Sequence, residues 1–534
     1  MSSSSPHTVS RMATDLQVAV RKVASINPAT GELLREVDCA SETDVQQAVT
    51  RARSAQIQWF AVDVGARVEI LRHFQHTLHA RKSEVARLIT REAGKPYVEA
   101  LLTEVLVVLD AARFLIENAR NFMRDQPTPH GGLAMKTKVG RIVREPRGVI
   151  GIISPWNYPL SIPAVETLAA LVTGNAVVLK PSECTSLIAL EFESMLRAAG
   201  TPEAVFQVVV GDGATGAALL ESDIDKLVFT GSVPTGRRIA QACAARLLPV
   251  LLELGGKDPM LVLDDADVDV ASSAAVWGAF VNAGQACLSV ERCYVHRSLY
   301  ARFLEACVEK TRKLRVGNGL DAETDIGPMI HERQLRIVEN QVEQAKALGA
   351  RVLTGGSRLP ELGPNFYAPT VLADVTPQMQ IMQQETFGPV LPIAPFDNDA
   401  QAIRLANDSE FGLAASVWTR NSARGEAIAR KINAGTVMVN DVISCFGISE
   451  APHGGIKASG IGRAHGLHGM QEMVRLKYLD VDRLPRVKKL WWYGYGESFT
   501  RHMEGFVDFQ FARGMGRRVT GALRSIGALR DKKR

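Results

Sequence analysis

Aromatic side chains make up only 6% of this 534-residue chain, and long apolar runs are missing from it. No stretch reaches the roughly 18 uninterrupted apolar residues that a transmembrane helix needs. The scarcity of aromatics, with abundant Ala, Val and Gly, disfavours a β-sandwich and favours a parallel sheet covered by helices. The Ser-rich residues 1–22 lack the apolar core of a signal peptide and predict a disordered leader. A cytoplasmic location is therefore expected.

Cysteine is also sparse, with seven residues, and no pair has the spacing of a zinc knuckle. Cys287 and Cys293 lie six positions apart without a second pair to complete such a site. The sequence therefore predicts no metal centre, and it predicts free thiols in a reducing compartment.

Basic residues are concentrated at the C-terminal end. The net charge of the chain is +5, yet residues 483–534 contain 13 Lys and Arg against 4 Asp and Glu. The rest of the chain is mildly acidic, with a net charge of −4. This distribution does not indicate a nucleic-acid-binding protein, and it makes the tail the basic segment.

The sequence pattern changes near Gly148. Before it, residues 41–89 and 98–123 have long helical periodicity, and Ser41 followed by Asp44 is typical of a helix N-terminus. After it, short apolar runs alternate with helices in two successive blocks, which predicts two parallel, doubly wound α/β sheets. The predicted strands are 149–153, 176–179, 206–210, 226–229 and 250–252 in the first block, and 292–295, 351–353, 390–393, 415–418 and 436–439 in the second.

Cys287 ends the segment Phe280-Val-Asn-Ala-Gly-Gln-Ala-Cys287, in which small neighbours leave room for a substrate to approach. A thiol with a lowered pKa or a well-placed base can act as a nucleophile. The alternative is that Cys287 is a small buried apolar residue, as most free cysteines are.

Two polar residues follow predicted strands. Glu253 ends an apolar run, and at the carboxyl edge of a parallel sheet it would face the ligand crevice and could act as a general base. Asn157, in Ser154-Pro-Trp-Asn157, offers an amide that can stabilise an oxyanion. The alternatives are a loop carboxylate or helix cap for Glu253 and ordinary turn chemistry for Asn157.

Other residues could hold a nucleotide. Lys180 and Glu183, in Lys180-Pro-Ser182-Glu183, could hold a ribose through its hydroxyls, or they could form an exposed charged turn. Glu385 could hold a second ribose with Phe387 beside a nicotinamide, or the segment Glu385-Thr-Phe-Gly-Pro could be a plain Gly-Pro turn.

Two glycine motifs compete for a pyrophosphate. Residues 211–216 match GxGxxG after a predicted strand, but the pattern is weak in a chain with 44 glycines. The segment Phe229-Thr-Gly231-Ser232-Val-Pro-Thr-Gly236 also follows a strand and opens a helix, whose N–H groups and dipole favour phosphate. Spacing alone does not decide between them.

Together and in order, these motifs resemble the aldehyde dehydrogenase superfamily over roughly residues 26–480. The resemblance rests on Pro-Trp156-Asn157, Lys180-Pro-Ser182-Glu183, Phe-Thr-Gly231-Ser232, Glu253-Leu-Gly-Gly-Lys, Gly-Gln-Ala-Cys287 and Glu385-Thr-Phe387-Gly-Pro. It implies an α/β fold with two Rossmann-like doubly wound domains and a small β oligomerisation arm.

The resemblance also implies domain bounds. They are a leader at 1–22, a cofactor-binding domain at 23–126 and 147–255, a catalytic domain at 256–472, the arm at 127–146 and 473–482, and a basic amphipathic extension at 483–534. The expected arm pieces are a hairpin-like segment at Lys136–Glu145 and a strand near Arg475–Val481. Arm exchange between subunits would give a homodimer or homotetramer.

The implied reaction is NAD(P)⁺-dependent oxidation of an aldehyde to a carboxylic acid. Cys287 would add to the aldehyde, giving a thiohemiacetal and then a thioester, while the Asn157 side chain and the Cys287 N–H hold the oxyanion. Water activated by Glu253 would hydrolyse the thioester. A CoA-acylating enzyme typically lacks a Glu at this position, so that alternative is disfavoured. The other alternative, a catalytically idle, membrane-docked binding protein, is disfavoured by the intact catalytic set.

The implied cofactor contacts complete the site. Lys180, Ser182 and Glu183 would serve the adenosine ribose, Gly231, Ser232 and Gly236 the pyrophosphate, and Glu385, Phe387 and Trp156 the nicotinamide half, which makes residues 211–216 a decoy. The Glu183 carboxylate would repel a 2′-phosphate and so favours NAD, whereas Lys180 leaves NADP open.

The sequence departs from common family members at Asp258, where Asn or Ser is more usual, and in the tail. Within the tail, one helical face carries Phe499, Met503, Phe506, Val507 and Phe511, and another carries Val519, Leu523 and Ile526. Such basic amphipathic helices could lie on an anionic membrane, or could pack on the protein itself or across an oligomer interface.

The substrate is not fixed by the sequence. A membrane-docked enzyme would favour lipophilic aldehydes, whereas the residues around Cys287 and Asn157 are similar to those of succinate-semialdehyde dehydrogenases. The expected pocket walls are mostly apolar or small, and they are Tyr158, Val165, Val281, Ser289 and the loop Ser444-Cys445-Phe446.

Overall fold

The computed structural model describes residues 21–489 and 491–527. The predicted leader, apart from its last two residues, lies outside the described part. The chain divides into two compact units: Met1–Met123 with Glu145–Arg475, and Arg124–Arg144 with Leu476–Arg534. Both large sheets lie in the first unit, so the predicted boundary between a cofactor and a catalytic domain stays a prediction.

The strands and helices are numbered in chain order. The strands are β1 (Lys22–Ile26), β2 (Leu33–Asp38), β3 (Gln126–Thr128), β4 (Lys138–Pro146), β5 (Val149–Ile153), β6 (Ala176–Lys180), β7 (Phe206–Val208), β8 (Lys226–Thr230), β9 (Val250–Glu253), β10 (Asp258–Val262), β11 (Val290–His296), β12 (Arg351–Thr354), β13 (Thr370–Ala373), β14 (Val390–Phe396), β15 (Ala414–Trp418), β16 (Thr436–Val439), β17 (Gly460–Ile461) and β18 (Val474–Asp482). The helices are α1 (Glu42–Ala61), α2 (Val64–Ala80), α3 (Lys82–Ala93), α4 (Tyr97–Ala100), α5 (Leu106–Phe122), α6 (Ser161–Val172), α7 (Ser186–Ala198), α8 (Gly213–Glu221), α9 (Val233–Ala245), α10 (Val268–Phe280), α11 (Arg297–Arg312), α12 (Glu332–Ala347), α13 (Gln380–Gln383), α14 (Asp399–Asn407), α15 (Ser422–Ala429), α16 (Gly466–Glu472), α17 (Glu497–Phe511) and α18 (Met515–Ser525).

The first large sheet has the order β17-β9-β8-β5-β6-β7. Its strands are parallel except for β17, which runs antiparallel to β9. The first strand, β5, is central, and the chain adds strands first on one side and then on the other. The strand order therefore reverses between β5 and β8, and ligands bind at such a reversal in open α/β sheets.

The second large sheet has the order β12-β13-β14-β11-β10-β15-β16 and repeats this plan around β10. It is parallel apart from the edge strand β12. The predicted α/β class with two doubly wound sheets is confirmed. Strands β10 and β13 are not among the predicted strands. Only Met260–Val262 of β10 is a continuous apolar run, since the strand opens with Asp258 and Pro259.

The helical regions are more divided than their periodicity predicts. Residues 41–89 form α1, α2 and α3, because Asp63 caps the start of α2 and Arg81 ends it. The predicted N-terminus at Ser41 is confirmed as a capping box with Asp44. The second predicted helix contains one π-helical turn, Leu101–Val105, before α5.

The second unit contains a three-stranded sheet of order β18-β4-β3 and the helices α17 and α18. The prediction of a hairpin within Lys136–Glu145 is wrong. This segment forms the single strand β4, which pairs antiparallel with β3 instead of turning back on itself. The strand predicted near Arg475–Val481 is β18. No helix in residues 21–489 and 491–527 is long and apolar enough to cross a membrane.

Candidate active site

The predicted site residues gather at the carboxyl edge of the first sheet. Trp156 and Asn157 follow β5, the segment 180–183 follows or ends β6, the segment 231–236 follows β8, and Glu253 ends β9. Carboxyl ends of parallel strands meet at one edge, so the topology brings these separated motifs together. The segments after β6 and β8 lie on opposite sides of β5.

Cys287 reaches this edge from a sharply turned loop before β11. Asn282 and Ala283 both have a φ of +54°, and a side chain on the next residue, Gly284, would collide with the Gly388 carbonyl. The loop leaves Cys287 partly exposed between the buried residues Ala286 and Leu288. Cys287 is therefore less buried than a core cysteine such as Cys293.

The surroundings of Cys287 keep its thiol protonated at neutral pH. Burial of the sulfur raises its pKa well above the usual range, and the carboxyl groups of Asp258, Glu385 and Glu253 raise it further. These carboxyl groups therefore lie close enough to influence the thiol. A thiolate at this position needs a proton acceptor or a nearby positive charge to form.

Asn157 is bonded to the loop that carries Cys287. Its side-chain amide donates to the Gln285 carbonyl at 3.1 Å. Its own backbone carbonyl accepts from the Asn282 amide at 3.0 Å and from the Lys95 ammonium at 2.8 Å. The amide of Asn157 is thus held in a fixed position beside the cysteine loop.

Lys95 and Glu104 form a buried ion pair at 2.8 Å behind Asn157. The second Glu104 oxygen accepts from the Leu160 and Ser161 N–H groups at the start of α6, at 3.1 and 2.7 Å. Burial lowers the pKa of Lys95, and the pair with Glu104 opposes that shift. This pair is not predictable from the sequence, because two charges nine positions apart, one in a loop and one in a helical turn, give no signal.

Glu253 is a buried carboxyl group without a hydrogen-bond partner. The residue is 6% exposed, and neither side-chain oxygen has a partner among the described residues. The nearest ring nitrogen, His453 Nε2, lies 3.8 Å away, and burial lowers the pKa of His453 to about 4, so this ring is neutral at pH 7. Burial, followed by the charge of Glu166, raises the pKa of Glu253 well above its usual range. Such a group is poised to take or give a proton.

Glu166, on α6, is a second buried carboxyl group beside Glu253. Burial raises its pKa to about 8, which the positive charge of Lys226 partly opposes. The sequence gives no signal for Glu166, because this residue lies within the apolar pattern of a helix that is buried along its whole length.

The two glycine motifs differ in how their helices begin. At α8, which belongs to residues 211–216, the Asp212 carboxylate caps the helix by accepting from the Ala214 N–H at 2.9 Å. At α9, the Ser232 side chain makes no capping hydrogen bond. A carboxylate at α8 repels phosphate, whereas the open N-terminus of α9 suits it. The geometry therefore favours α9 for the pyrophosphate.

The segment after β6 combines one buried and one exposed charge. Lys180 is 5% exposed, and its ammonium lies 3.4 Å from the half-exposed Glu183 carboxylate. Ser182 accepts from the Cys184 N–H and so shapes the turn. A cation and a carboxylate held side by side can donate to and accept from the hydroxyls of a ribose.

Glu385 and Phe387 are held by a buried network that the sequence analysis does not find. Glu291 pairs with Lys257 at 2.6 Å and accepts from the Phe387 N–H at 2.9 Å, where Phe387 has a φ of +52°. Glu385 accepts from the Gly256 N–H at 3.0 Å, and the Phe387 ring lies 5.4 Å from Trp156. These groups, with the open end of α9, fit a dinucleotide: a carboxylate for one ribose and aromatic faces for a flat ring.

Phe446 dominates the apolar wall next to Cys287. Its ring packs against three separate buried apolar clusters. The first contains Cys445 and Leu288, the second Val165 and Val107, and the third Tyr158 and Ala286. Cys287 packs against the first cluster. Ser289, by contrast, donates its hydroxyl hydrogen bond to the Gly278 carbonyl of α10. The partly exposed Cys287 thus lies beside an apolar surface.

Comparison with known proteins identifies the class. Residues 17–479 match the model of the aldehyde dehydrogenase family. The chain is 38% identical over 492 residues to 4,4'-diapolycopene aldehyde oxidase of Methylomonas sp, covering 91% of each chain. It is 39% identical over 452 residues to a putative NADP⁺ succinate-semialdehyde dehydrogenase of Mycolicibacterium smegmatis, covering 84% of this chain and 86% of that one.

A solved structure agrees with the fold. The NAD⁺ complex of an aldehyde dehydrogenase from Bacillus cereus superposes with a TM-score of 0.83 at 37% identity, covering 86% of this chain and 93% of that one. The protein is therefore an NAD(P)-dependent oxidoreductase of the α/β class. It belongs to the aldehyde dehydrogenase family and is an aldehyde dehydrogenase that uses NAD(P).

Proposed function

We propose that the protein oxidises an apolar aldehyde to a carboxylic acid through a thioester on Cys287. The observation that carries this proposal is the pairing of a partly exposed cysteine, Cys287, with a buried, unpartnered carboxyl group, Glu253, at one sheet edge. The Cys287 sulfur adds to the aldehyde carbon while its proton passes to a neighbouring base. The Asn157 amide and the Cys287 N–H stabilise the resulting oxyanion.

Glu253 completes the reaction. Its carboxylate removes a proton from water, which attacks the thioester carbonyl and releases the acid and the Cys287 thiol. A carboxyl group whose pKa is raised by burial accepts a proton readily at neutral pH. This step distinguishes hydrolysis from transfer of the acyl group to CoA.

Residues of the same edge would hold most of the cofactor, and Glu385 and Phe387, which precede β14 of the second sheet, would complete its site. Lys180, Ser182 and Glu183 would bind the adenosine ribose, and the segment Gly231, Ser232 and Gly236 at the start of α9 would bind the pyrophosphate. Glu385 would bind the second ribose, and Phe387 and Trp156 would contact the nicotinamide. When bound, NAD(P)⁺ supplies the acceptor for the electron pair that leaves the aldehyde carbon. Glu183 favours NAD⁺ over NADP⁺ by repelling a 2′-phosphate.

The apolar wall around Phe446 supports a lipophilic substrate. Phe446 packs with apolar side chains and with the rings of His453 and His465, which are neutral because burial lowers their pKa to about 4 and about 3. A carboxylate such as that of succinate semialdehyde would lose its hydration there. Diapolycopene aldehyde oxidase, one of the relatives, is named for a lipophilic aldehyde.

A chain-length series tests the substrate class. Since each buried methylene contributes about 0.8 kcal/mol, kcat/KM should rise about fourfold per methylene from butanal to decanal until the pocket is filled. A higher kcat/KM for succinate semialdehyde than for decanal would contradict the proposal.

A Glu253→Gln variant tests the hydrolytic step. We expect one rapid equivalent of NADH per active site, followed by a steady-state rate at least about 100-fold below that of the wild type. Mass spectrometry should find the acyl group on Cys287. A matched surface variant, Glu410→Gln, should show the same first turnover and the same steady-state rate as the wild type. A rate that depends on free CoA, or an absent first turnover with no adduct, would overturn the assignment.

The three-stranded sheet of the predicted oligomerisation arm supports a homo-oligomer. Strand β18 is an edge of the β18-β4-β3 sheet, and Leu476, Tyr478 and Val481 on it are each at least half exposed. An exposed apolar edge strand is a template for pairing with another chain. We propose a homodimer or homotetramer through this arm, with the domain bounds given by the family resemblance. All seven cysteines are free, which supports a reducing, cytoplasmic location.

A further inference from the structure

The C-terminal helices α17 and α18 form a tightly packed hairpin, here called the C-terminal hairpin. They cross at Gly505 and Gly521, both buried. A methyl group at Gly505 would lie 2.9 Å from the Gly521 carbonyl, and one at Gly521 would lie 2.5 Å from the Phe509 nitrogen. Only hydrogen fits at this crossing, so the two helices are fixed against each other.

This packing leaves a row of apolar side chains facing outward, here called the apolar row. The row consists of Phe511, Met515, Val519, Leu523 and Ile526, which are between 53% and 80% exposed. Their spacing of three or four residues places Met515 to Ile526 on one face of α18. Four members of the row, Phe511, Met515, Val519 and Leu523, also line a cavity of about 680 Å³ together with Leu133 and Phe509, and Arg518 is its only charged lining residue.

The apolar row is bordered by positive charge. Helix α18 contains Arg517, Arg518 and Arg524 and no acidic residue. The whole extension, residues 483–534, has a net charge of +9. Upstream of the hairpin, Trp491, Tyr493 and Tyr495 are exposed, and amphipathic aromatic rings of this kind favour a membrane interface.

We propose that the C-terminal hairpin docks on an anionic lipid bilayer, with the apolar row in the boundary between headgroups and acyl chains. The arginines would then pair with lipid phosphates, and the cavity beside the row would admit part of an acyl chain. A helix of 11 residues spans only about 16 Å and cannot cross a bilayer, so α18 lies in the interface plane.

Charge favours the bilayer over a second copy of this chain as the occupant. A symmetric contact through the apolar row would bring two extensions of net charge +9 together. An anionic leaflet instead contributes about 1 kcal/mol of attraction for each basic residue near its surface. Docking would place the enzyme where lipophilic aldehydes partition, although lipid binding itself does not depend on the proposed chemistry.

Vesicle flotation of the full-length protein tests the proposal. We expect binding to phosphatidylcholine vesicles containing about one-third phosphatidylglycerol, and at least tenfold weaker binding to pure phosphatidylcholine. About 0.5 M NaCl should release most of the protein, because the Debye length then falls to about 4 Å. Equal absence of binding to both vesicles at low salt would overturn the proposal.

Variants separate the apolar and the charged contributions. Val519→Glu with Leu523→Glu alters only exposed side chains and should reduce binding to anionic vesicles at least tenfold. Arg517→Gln with Arg524→Gln should weaken it roughly fivefold per arginine. The control Leu247→Glu changes a residue that is 90% exposed and lies outside the hairpin, and it should bind like the wild type.

Light scattering and activity distinguish the remaining outcomes. A change of oligomeric mass in the Val519/Leu523 variant, without vesicle binding by the wild type, would show that a second copy covers the row and would refute the proposal. Oxidation of a short water-soluble aldehyde should be equal in wild type and variants. Failure of that oxidation in the wild type would count against the proposed reaction and not against membrane docking.

Discussion

The two large sheets share one strand plan, yet their carboxyl edges differ in how their polar groups are satisfied. At the edge of the first sheet, both Glu253 oxygens and the Ser154 hydroxyl lack partners within the described residues, and the start of α9 is uncapped. This edge carries the candidate active site. The equivalent edge of the second sheet is closed by its own side chains.

At the carboxyl edge of the second sheet, carboxylate side chains accept hydrogen bonds from neighbouring side chains. Thr419, after β15, donates its hydroxyl to Asp265 at 2.7 Å. Arg424 binds the Asp399 carboxylate through two hydrogen bonds of 2.9 and 2.6 Å and also pairs with Asp264 at 2.6 Å. No group comparable to Glu253 is left over from these pairs for a ligand.

The difference teaches that topology provides a place for a site and that the side chains decide whether it is used. A reversal of strand order occurs in both sheets, but unsatisfied polar groups mark one of them as functional. Substitutions at the first edge should therefore affect activity and those at the second edge stability.

The largest effect is expected for Cys287→Ser. Loss of the thiol should reduce aldehyde oxidation at least about 1,000-fold, because the remaining hydroxyl is a far weaker nucleophile. NAD⁺ binding, followed by quenching of intrinsic fluorescence, and the midpoint of thermal unfolding should stay unchanged. The control Cys39→Ala, at a buried cysteine distant in sequence from the site motifs, should retain activity. Wild-type rates in Cys287→Ser would refute the mechanism.

A smaller effect, on stability and not on activity, is expected for Arg424→Ala at the second edge. Its removal leaves the carboxylates of Asp264 and Asp399 without their shared cation, and since all three groups are partly exposed, the free energy of unfolding should fall by about 1 kcal/mol. Urea denaturation measures this change. Arg430→Ala, which breaks one exposed ion pair on the same helix, should change it by less than about 0.5 kcal/mol. A tenfold loss of kcat/KM in Arg424→Ala would contradict the division between the edges.

The smallest effect is expected for Asp258→Asn, at the position where the sequence departs from common family members. Asp258 is buried, its Oδ1 accepts from the Ala414 N–H at 3.1 Å, and its carboxyl group raises the pKa of Cys287. Burial also raises the pKa of Asp258 well above its usual range, so only the ionised fraction of this carboxyl group acts on the thiol. Asparagine keeps the acceptor and removes the charge, so the thiol pKa should fall and alkylation of Cys287 by iodoacetamide at pH 8 should accelerate about threefold. Slower alkylation would mean that the carboxylate assists the thiol instead of opposing it.

The sequence predicts those features that depend on local pattern. Strands such as β5 and β16 are continuous apolar runs, and the segments around Asn157 and Glu253 stand directly after such runs. The Ser41 cap is likewise local. These features follow from the chain order alone, because strand ends and caps are defined by near neighbours.

Features that depend on tertiary contact were not predictable. The pairs Lys95–Glu104 and Lys257–Glu291 join residues whose spacing carries no signal, and His453 reaches Glu253 from 200 positions away. Glu166 is masked by its apolar helix. The break at Arg81 gives no local signal, because no glycine or proline stands near it, and Gly65, next to the break at Asp63, lies inside α2.

The open start of α9 links the nucleotide to the stability of the fold. Its first N–H groups have no side-chain cap from Ser232, so a phosphate bound there would act as the missing cap. A ligand that binds the folded state alone, at 100 times its Kd, adds about 2.7 kcal/mol to the free energy of unfolding. The lifetime of this enzyme in a cell would then follow the size of the dinucleotide pool, and depletion of that pool would reduce the amount of enzyme as well as its rate.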